Sequence, residues 1–154
     1  MQVFNEKLIF LGENLVSQED VFKFLTDKLF NKNLVKPEFF QKIVERERQF
    51  PTGLSINGFG VAIPHTDSIF VNKSQIAYVS LKEPVIFKEM GNSTTEIKVN
   101  QVFMLALKEA HEQLDILQKL IEMFQNEMHM TSLVTATSSQ EVESVLMESG
   151  LIIK

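Results

Sequence analysis

The sequence predicts an α/β (α+β) protein, a three-layer α/β/α arrangement with a central mixed β-sheet flanked by helices. Three observations predict it. β-branched and aromatic residues gather between Phe59 and about Leu107 with the short spacing of strands. Helical periodicity occupies both flanks of that block. The last strand candidate, residues 98–107, is nearly continuously apolar, as expected of a strand covered on both faces. No repeat, low-complexity tract or linker interrupts the chain, so a single domain over residues 1–154 is expected.

The elements follow in order. Residues 7–11 read as a first strand. Ser17 can cap a helix whose apolar positions Val21, Phe24, Leu25 and Leu29 share one face. Pro37 suits the first turn of a second helix, in which Phe40, Ile43 and Val44 recur at helical spacing. Pro51, Gly53 and the Asn57-Gly58 pair break that pattern. Strands are then expected over 59–63, 76–81, 85–87 and 98–107. Leu114, Leu117, Leu120, Ile121 and Phe124 form a helical stripe, and a shorter helix is expected over 127–134. Ser139 can cap a final helix through Val142, Val145 and Leu146.

Composition narrows the function classes. Hydrophobic residues make up 44% of the chain and charged ones 23%, a globular rather than a disordered balance. A chain of this length needs no disulfide staple, and it has no cysteine to form one. The net charge of −5 and the scattered lysines and arginines disfavour nucleic acid as a partner. No apolar run approaches the ~20 residues of a membrane-spanning helix, so any membrane role is expected to run through a partner. The first residues lack the basic, apolar and small-residue zones of a secretory signal, so a cytoplasmic location is expected.

The most informative segment is Gly58-Phe59-Gly60-Val61-Ala62-Ile63-Pro64-His65-Thr66-Asp67. Proline ends ladder pairing and fixes the backbone, so His65 can project from a strand end as nucleophile, base or ligand. The competing reading is a loop histidine bonded to a backbone carbonyl. Asn57-Gly58-Phe59-Gly60 lacks the Gly-Lys-Ser/Thr ending of a nucleotide-binding loop and reads as a turn. A metal site of His65, Asp67 and His111 is disfavoured, because His-x-Asp is no established ligand spacing and no His-x-x-x-His pair occurs. No metal and no cofactor are expected. His111 falls where the apolar strand gives way to the next helix, either as a solvated helix-start residue or at the same sheet edge as His65. His129 reads as a surface helix residue, and Glu45-Arg46-Glu47-Arg48 as a solvated helix end. There is no Gly-x-Ser-x-Gly elbow and no cysteine nucleophile.

In order and spacing, these pieces resemble the mannitol/fructose-type IIA components of the bacterial phosphoenolpyruvate-dependent sugar phosphotransferase system, the galactitol-type branch most closely. The resemblance rests on Arg46-Glu47 with Pro51-Thr52-Gly53-Leu54, on Gly60 through Asp67, on Pro84-Val85-Ile86-Phe87, on the strand from Val102 to Leu107, and on His111 three residues before Leu114. It implies one EIIA type-2 domain over 1–154, and a phosphotransferase component that works through a phosphohistidine. His65 would accept a phosphoryl group from the phosphocarrier protein HPr and pass it to a IIB component for sugar uptake, galactitol being the sugar of the branch it resembles most, with the membrane IIC component reached only indirectly. His111 and Arg46 would be the other catalytic residues, with Thr52 and Thr66 contacting the transferred group. Many mannitol- and fructose-type members have glycine after the active-site histidine, where this chain has Thr66-Asp67. Two alternatives stand beside transport. One is a regulatory protein similar to the nitrogen-related IIA branch, signalling through its phosphorylation state. The other is a phosphate-independent binding module on the same fold.

Overall fold

The computed structural model describes residues 2–152. Strand β1, Ile9–Glu13, leads into helix α1, Gln18–Asn31, and then α2, Phe39–Gln49. Strands β2, Gly53–Ile56, and β3, Phe59–Ala62, are followed by a single 3₁₀ turn, Ser68–Phe70. The long strands β4, Gln75–Glu89, and β5, Asn92–Ala106, complete the sheet, and helices α3, Ala110–Phe124, α4, Glu127–Thr135, and α5, Ser139–Glu148, close the chain.

Hydrogen-bonded neighbours run β1–β4–β2–β3–β5, with β4 also paired directly to β5. The sheet is mixed: β1 runs parallel to β4 and β3 parallel to β5, whereas β4 and β5 are antiparallel. β2 reaches β4 only where Gly53 meets Glu89.

The period-two alternation of the central strands builds two cores. Ala77, Val79, Val102 and Met104 point to one face, where Phe22 and Leu25 of α1 and Phe39 and Ile43 of α2 cover them. Ile76, Tyr78, Phe103 and Leu105 point to the other, under Leu120 and Phe124 of α3, Leu133 of α4 and Leu146 of α5. The apolar 98–107 run is therefore buried on both sides, and the expected three-layer arrangement is the observed one.

Several boundaries move for physical reasons. The first strand starts at Ile9 because Lys7 has a positive φ of 51° and its N–H turns back to the Phe4 carbonyl at 3.0 Å. The 76–81 and 85–87 runs are one strand, its pairing with β5 interrupted by a register irregularity between Ser80 and Val85. The Pro51–Gly58 region, read as pattern breaking, contains β2. Asn57 and Gly58, at φ 53° and 84°, form the tight turn of the β2–β3 hairpin. Ser138, one residue before the expected cap, accepts the Glu141 N–H at the start of α5. Leu114, counted in the apolar stripe, is 66% exposed.

Candidate active site

His65 sits just beyond β3, its segment held by bonds to Thr52, just before β2, and to Leu105 of β5. The Ile63 N–H donates to the Thr52 carbonyl at 3.3 Å, and the Leu105 N–H donates to the Pro64 carbonyl at 2.9 Å, so His65 bridges to Leu105 alongside the end of β5. β3 can lie this close to β5 because Gly60 carries no side chain; a Cβ there would overlap the Lys98 carbonyl.

The imidazole is oriented by its own backbone. Nδ1 lies 2.8 Å from the Ile63 carbonyl oxygen. A carbonyl can only accept, so Nδ1 carries the proton and Nε2 holds the free lone pair. The two sequence readings of His65 are thus parts of one arrangement: the bond to a backbone carbonyl is what leaves the second nitrogen available. Burial pushes the ring's pKa below its ordinary 6.5, the carbonyl bond opposes that shift, and the charge of Arg46 adds to it. The neutral, nucleophilic form is therefore the resting form at neutral pH.

Arg46 comes from the last turn of α2, where its guanidinium lies over the Phe50 ring at 4.6 Å and Nη1 stands 3.8 Å from Asp67 Oδ1. Thr66 is buried beside His65, and Asp67 opens the 3₁₀ turn. Arg46, His65, Thr66 and Asp67 line one cavity of about 330 Å³, closed on another side by Ala110 and Gln113 in the first turns of α3. A larger hollow of about 410 Å³ between the N-terminal segment and α5 lies away from this chemistry, with no histidine on its wall.

The other sequence candidates fall differently. His111 is exposed in the first turn of α3, next to the lining residue Ala110 but not itself on the cavity wall. Thr52 is 2% exposed and does not line the cavity. Its N–H and hydroxyl both donate to the carboxylate of Glu47, each at 2.8 Å. Glu47, read from sequence as part of a solvated helix end, is the correction here: it is 5% exposed, and burial raises its pKa from 4.5 to about 7 against the lowering effect of the two Thr52 bonds. Its signal was present in the helical pattern, because Phe39, Ile43 and Glu47 recur every four residues on one face. Gln113 was not singled out at all, and nothing local distinguishes it.

A family model described as "Phosphoenolpyruvate-dependent sugar phosphotransferase system, EIIA 2" matches residues 2–149. The transcriptional regulator ManR of Bacillus subtilis (strain 168) is 37% identical over 101 residues, which is 66% of this chain but only 14% of that protein. The galactitol-specific EIIA component of Escherichia coli (strain K12) is 25% identical over 129 residues, covering 84% of this chain and 85% of that one. Among solved structures, a chain of the Escherichia coli complex of enzyme IIAMTL with phosphorylated enzyme IIBMTL superposes with a TM-score of 0.78 at 24% identity, over 96% of this chain and 99% of that one. That last likeness bears on the fold.

Proposed function

The chain belongs to the EIIA 2 family of the phosphoenolpyruvate-dependent sugar phosphotransferase system, and on that premise we propose that it carries a phosphoryl group on Nε2 of His65, taken from HPr and delivered to a IIB component for sugar uptake. The observation that carries this reading is the 2.8 Å bond from Nδ1 to the Ile63 carbonyl, which leaves Nε2 unprotonated at the edge of the sheet. In the accepting step the Nε2 lone pair attacks phosphorus while the bond from phosphorus to the donor's histidine nitrogen breaks. That nitrogen leaves with the electron pair. In delivery, a thiolate of the IIB component attacks phosphorus and Nε2 recovers its lone pair.

Phosphoryl transfer goes through a loose transition state with charge on the equatorial oxygens, so the chain's part is alignment and charge stabilisation. Arg46, already at the cavity, supplies a planar pair of donors. Thr66 adds a hydroxyl, and the N-terminal turn of α3 presents its positive dipole end beside Ala110. His111, in that same turn, contributes an imidazole N–H once the phosphoryl group is in place. Asp67 counterbalances Arg46, so the phosphoryl group is not held so firmly that delivery stalls. Exposed Phe50, Ile69 and Leu114 offer apolar surface for transient partners. The similarity to the galactitol-specific EIIA component supports a galactitol-type transporter.

Intact-mass analysis at alkaline pH, after incubation with phosphoenolpyruvate, enzyme I and HPr, tests the reading. One added phosphoryl mass on the native chain and none on His65→Ala is the expected result. Labelling of the alanine variant would overturn the assignment. A regulatory role is favoured by one observation, the 37% identity to a segment of ManR; label that stays on His65 in the presence of IIB components would support it over transport.

A further inference from the structure

The carrier reading leaves unused the most deeply buried carboxylate near the site. Glu47 follows Arg46 on the last turns of α2, and its carboxylate grips Thr52 twice, accepting the backbone N–H on Oε2 and the hydroxyl on Oε1. From Thr52 the bonds run onward without a gap. The Thr52 carbonyl accepts the Ile63 N–H, and the Ile63 carbonyl accepts the Nδ1–H of His65. A buried acid is expensive to keep, since burial alone would drive it out of its charged form. An apolar residue would fill this helix position at less cost. An acid at this position therefore matches a need that packing does not meet.

We propose that Glu47 is a positioning residue for phosphoryl transfer: by clasping Thr52 it ties the α2 turn that carries Arg46 to the segment that carries His65. The clasp fixes two things. Through Thr52 and Ile63 it holds the carbonyl that selects the Nδ1–H tautomer, and through the helix it sets the guanidinium of Arg46 relative to Nε2. Loss of the clasp lets the carbonyl drift and the ring sample the other tautomer, in which Nε2 is protonated and cannot attack. Misplacement of about 1 Å at such a site costs up to about 10²-fold in rate.

The effect on transfer rests on the carrier reading; the effect on the tautomer does not. The test therefore has two arms, ¹⁵N imidazole NMR of His65 and the rate of labelling by phosphorylated HPr. Three variants separate positioning from packing. Glu47→Gln keeps an acceptor for the Thr52 N–H and a donor for its hydroxyl, and is expected to retain the wild-type tautomer and near wild-type labelling. Glu47→Leu removes both contacts. Glu47→Leu with Thr52→Val replaces most of the clasp by apolar packing and is expected to regain most of the lost melting temperature. In the double variant the tautomer is expected to mix, and labelling to slow by about 10- to 100-fold. A double variant with the wild-type tautomer, or with full-speed labelling, overturns the proposal. A wild-type chain that takes no label sinks the carrier reading instead, and the tautomer comparison still decides the role of Glu47.

Discussion

His65 and His129 are both partly buried, and each has a carboxylate within its local architecture, yet they are built for different ends. His129, on α4, reaches the C-terminal end of α5, with Nε2 3.3 Å from Glu148 and Nδ1 3.4 Å from the Ser149 hydroxyl. Both of its nitrogens are engaged. His65 spends one nitrogen on a backbone carbonyl and keeps the other open to a cavity that also holds a guanidinium. The carboxylates differ in the same sense: the Glu148 side chain is 69% exposed, while Glu47 is buried and reaches the His65 segment through Thr52. The two histidines differ in the partner each takes, a backbone carbonyl for His65 and a carboxylate for His129, and not in their class of burial.

The largest effect that could break this comparison is at the histidines themselves. His65→Ala should abolish labelling by phosphorylated HPr, and His129→Ala should leave it at the wild-type level, as read by intact mass.

Next comes the pH dependence of folding. Glu47 has a folded pKa of about 7, above its ordinary 4.5, so its contribution to stability is full below pH 4.5 and is lost as pH rises toward about 7. The span is about 3 kcal/mol. His65 works in the opposite direction: its folded pKa lies below 6.5, so its contribution is full above pH 6.5 and is lost as pH falls through the depressed value. Urea unfolding across pH 4–8 should show the first slope flattened in Glu47→Gln and the second flattened in His65→Ala. Unchanged profiles in both variants would contradict the buried environments of these groups.

Smaller again, Arg46→Ala should slow labelling by about 10²-fold, the usual cost of removing one donor to developing charge. Arg46→Lys should recover only part of it, because an ammonium lacks the planar fork. The smallest effect belongs to the His129 corner: Glu148→Gln should change stability by no more than about 1 kcal/mol by thermal melting, as for other exposed pairs.

Most of this architecture was legible along the chain. The helical stripes of α1 and α2, the two-sided burial of β5 and the Pro64-His65 strand end all follow from local spacing and side-chain shape. Strand β2 was not legible, because Pro51, Gly53 and Asn57-Gly58 carry breaker chemistry whether they end a pattern or turn a hairpin. Leu114 looked like a core position because spacing reports which residues share a face, not whether a neighbour covers that face. Of the site, His65 and Arg46 were singled out by motif and meet at one cavity. Gln113 reaches that wall only because α3 begins beside the end of β5, and Glu47 counts only because Thr52, five residues on, folds back beneath it.

By itself, then, the sequence determined the layer order and the faces that pack, and it marked the Pro64-His65 strand end as the candidate site, since periodicity and residue chemistry are local properties that need no partner to be read. Only the tertiary structure decided which ring nitrogen is free, which acid is buried, and which side chains share the cavity. The shared cavity joins Arg46, His65, Ala110 and Gln113 from distant segments, while the His65–Ile63 and Glu47–Thr52 bonds are short in sequence but form on backbone that the Ile63–Thr52 and Leu105–Pro64 bonds hold in place.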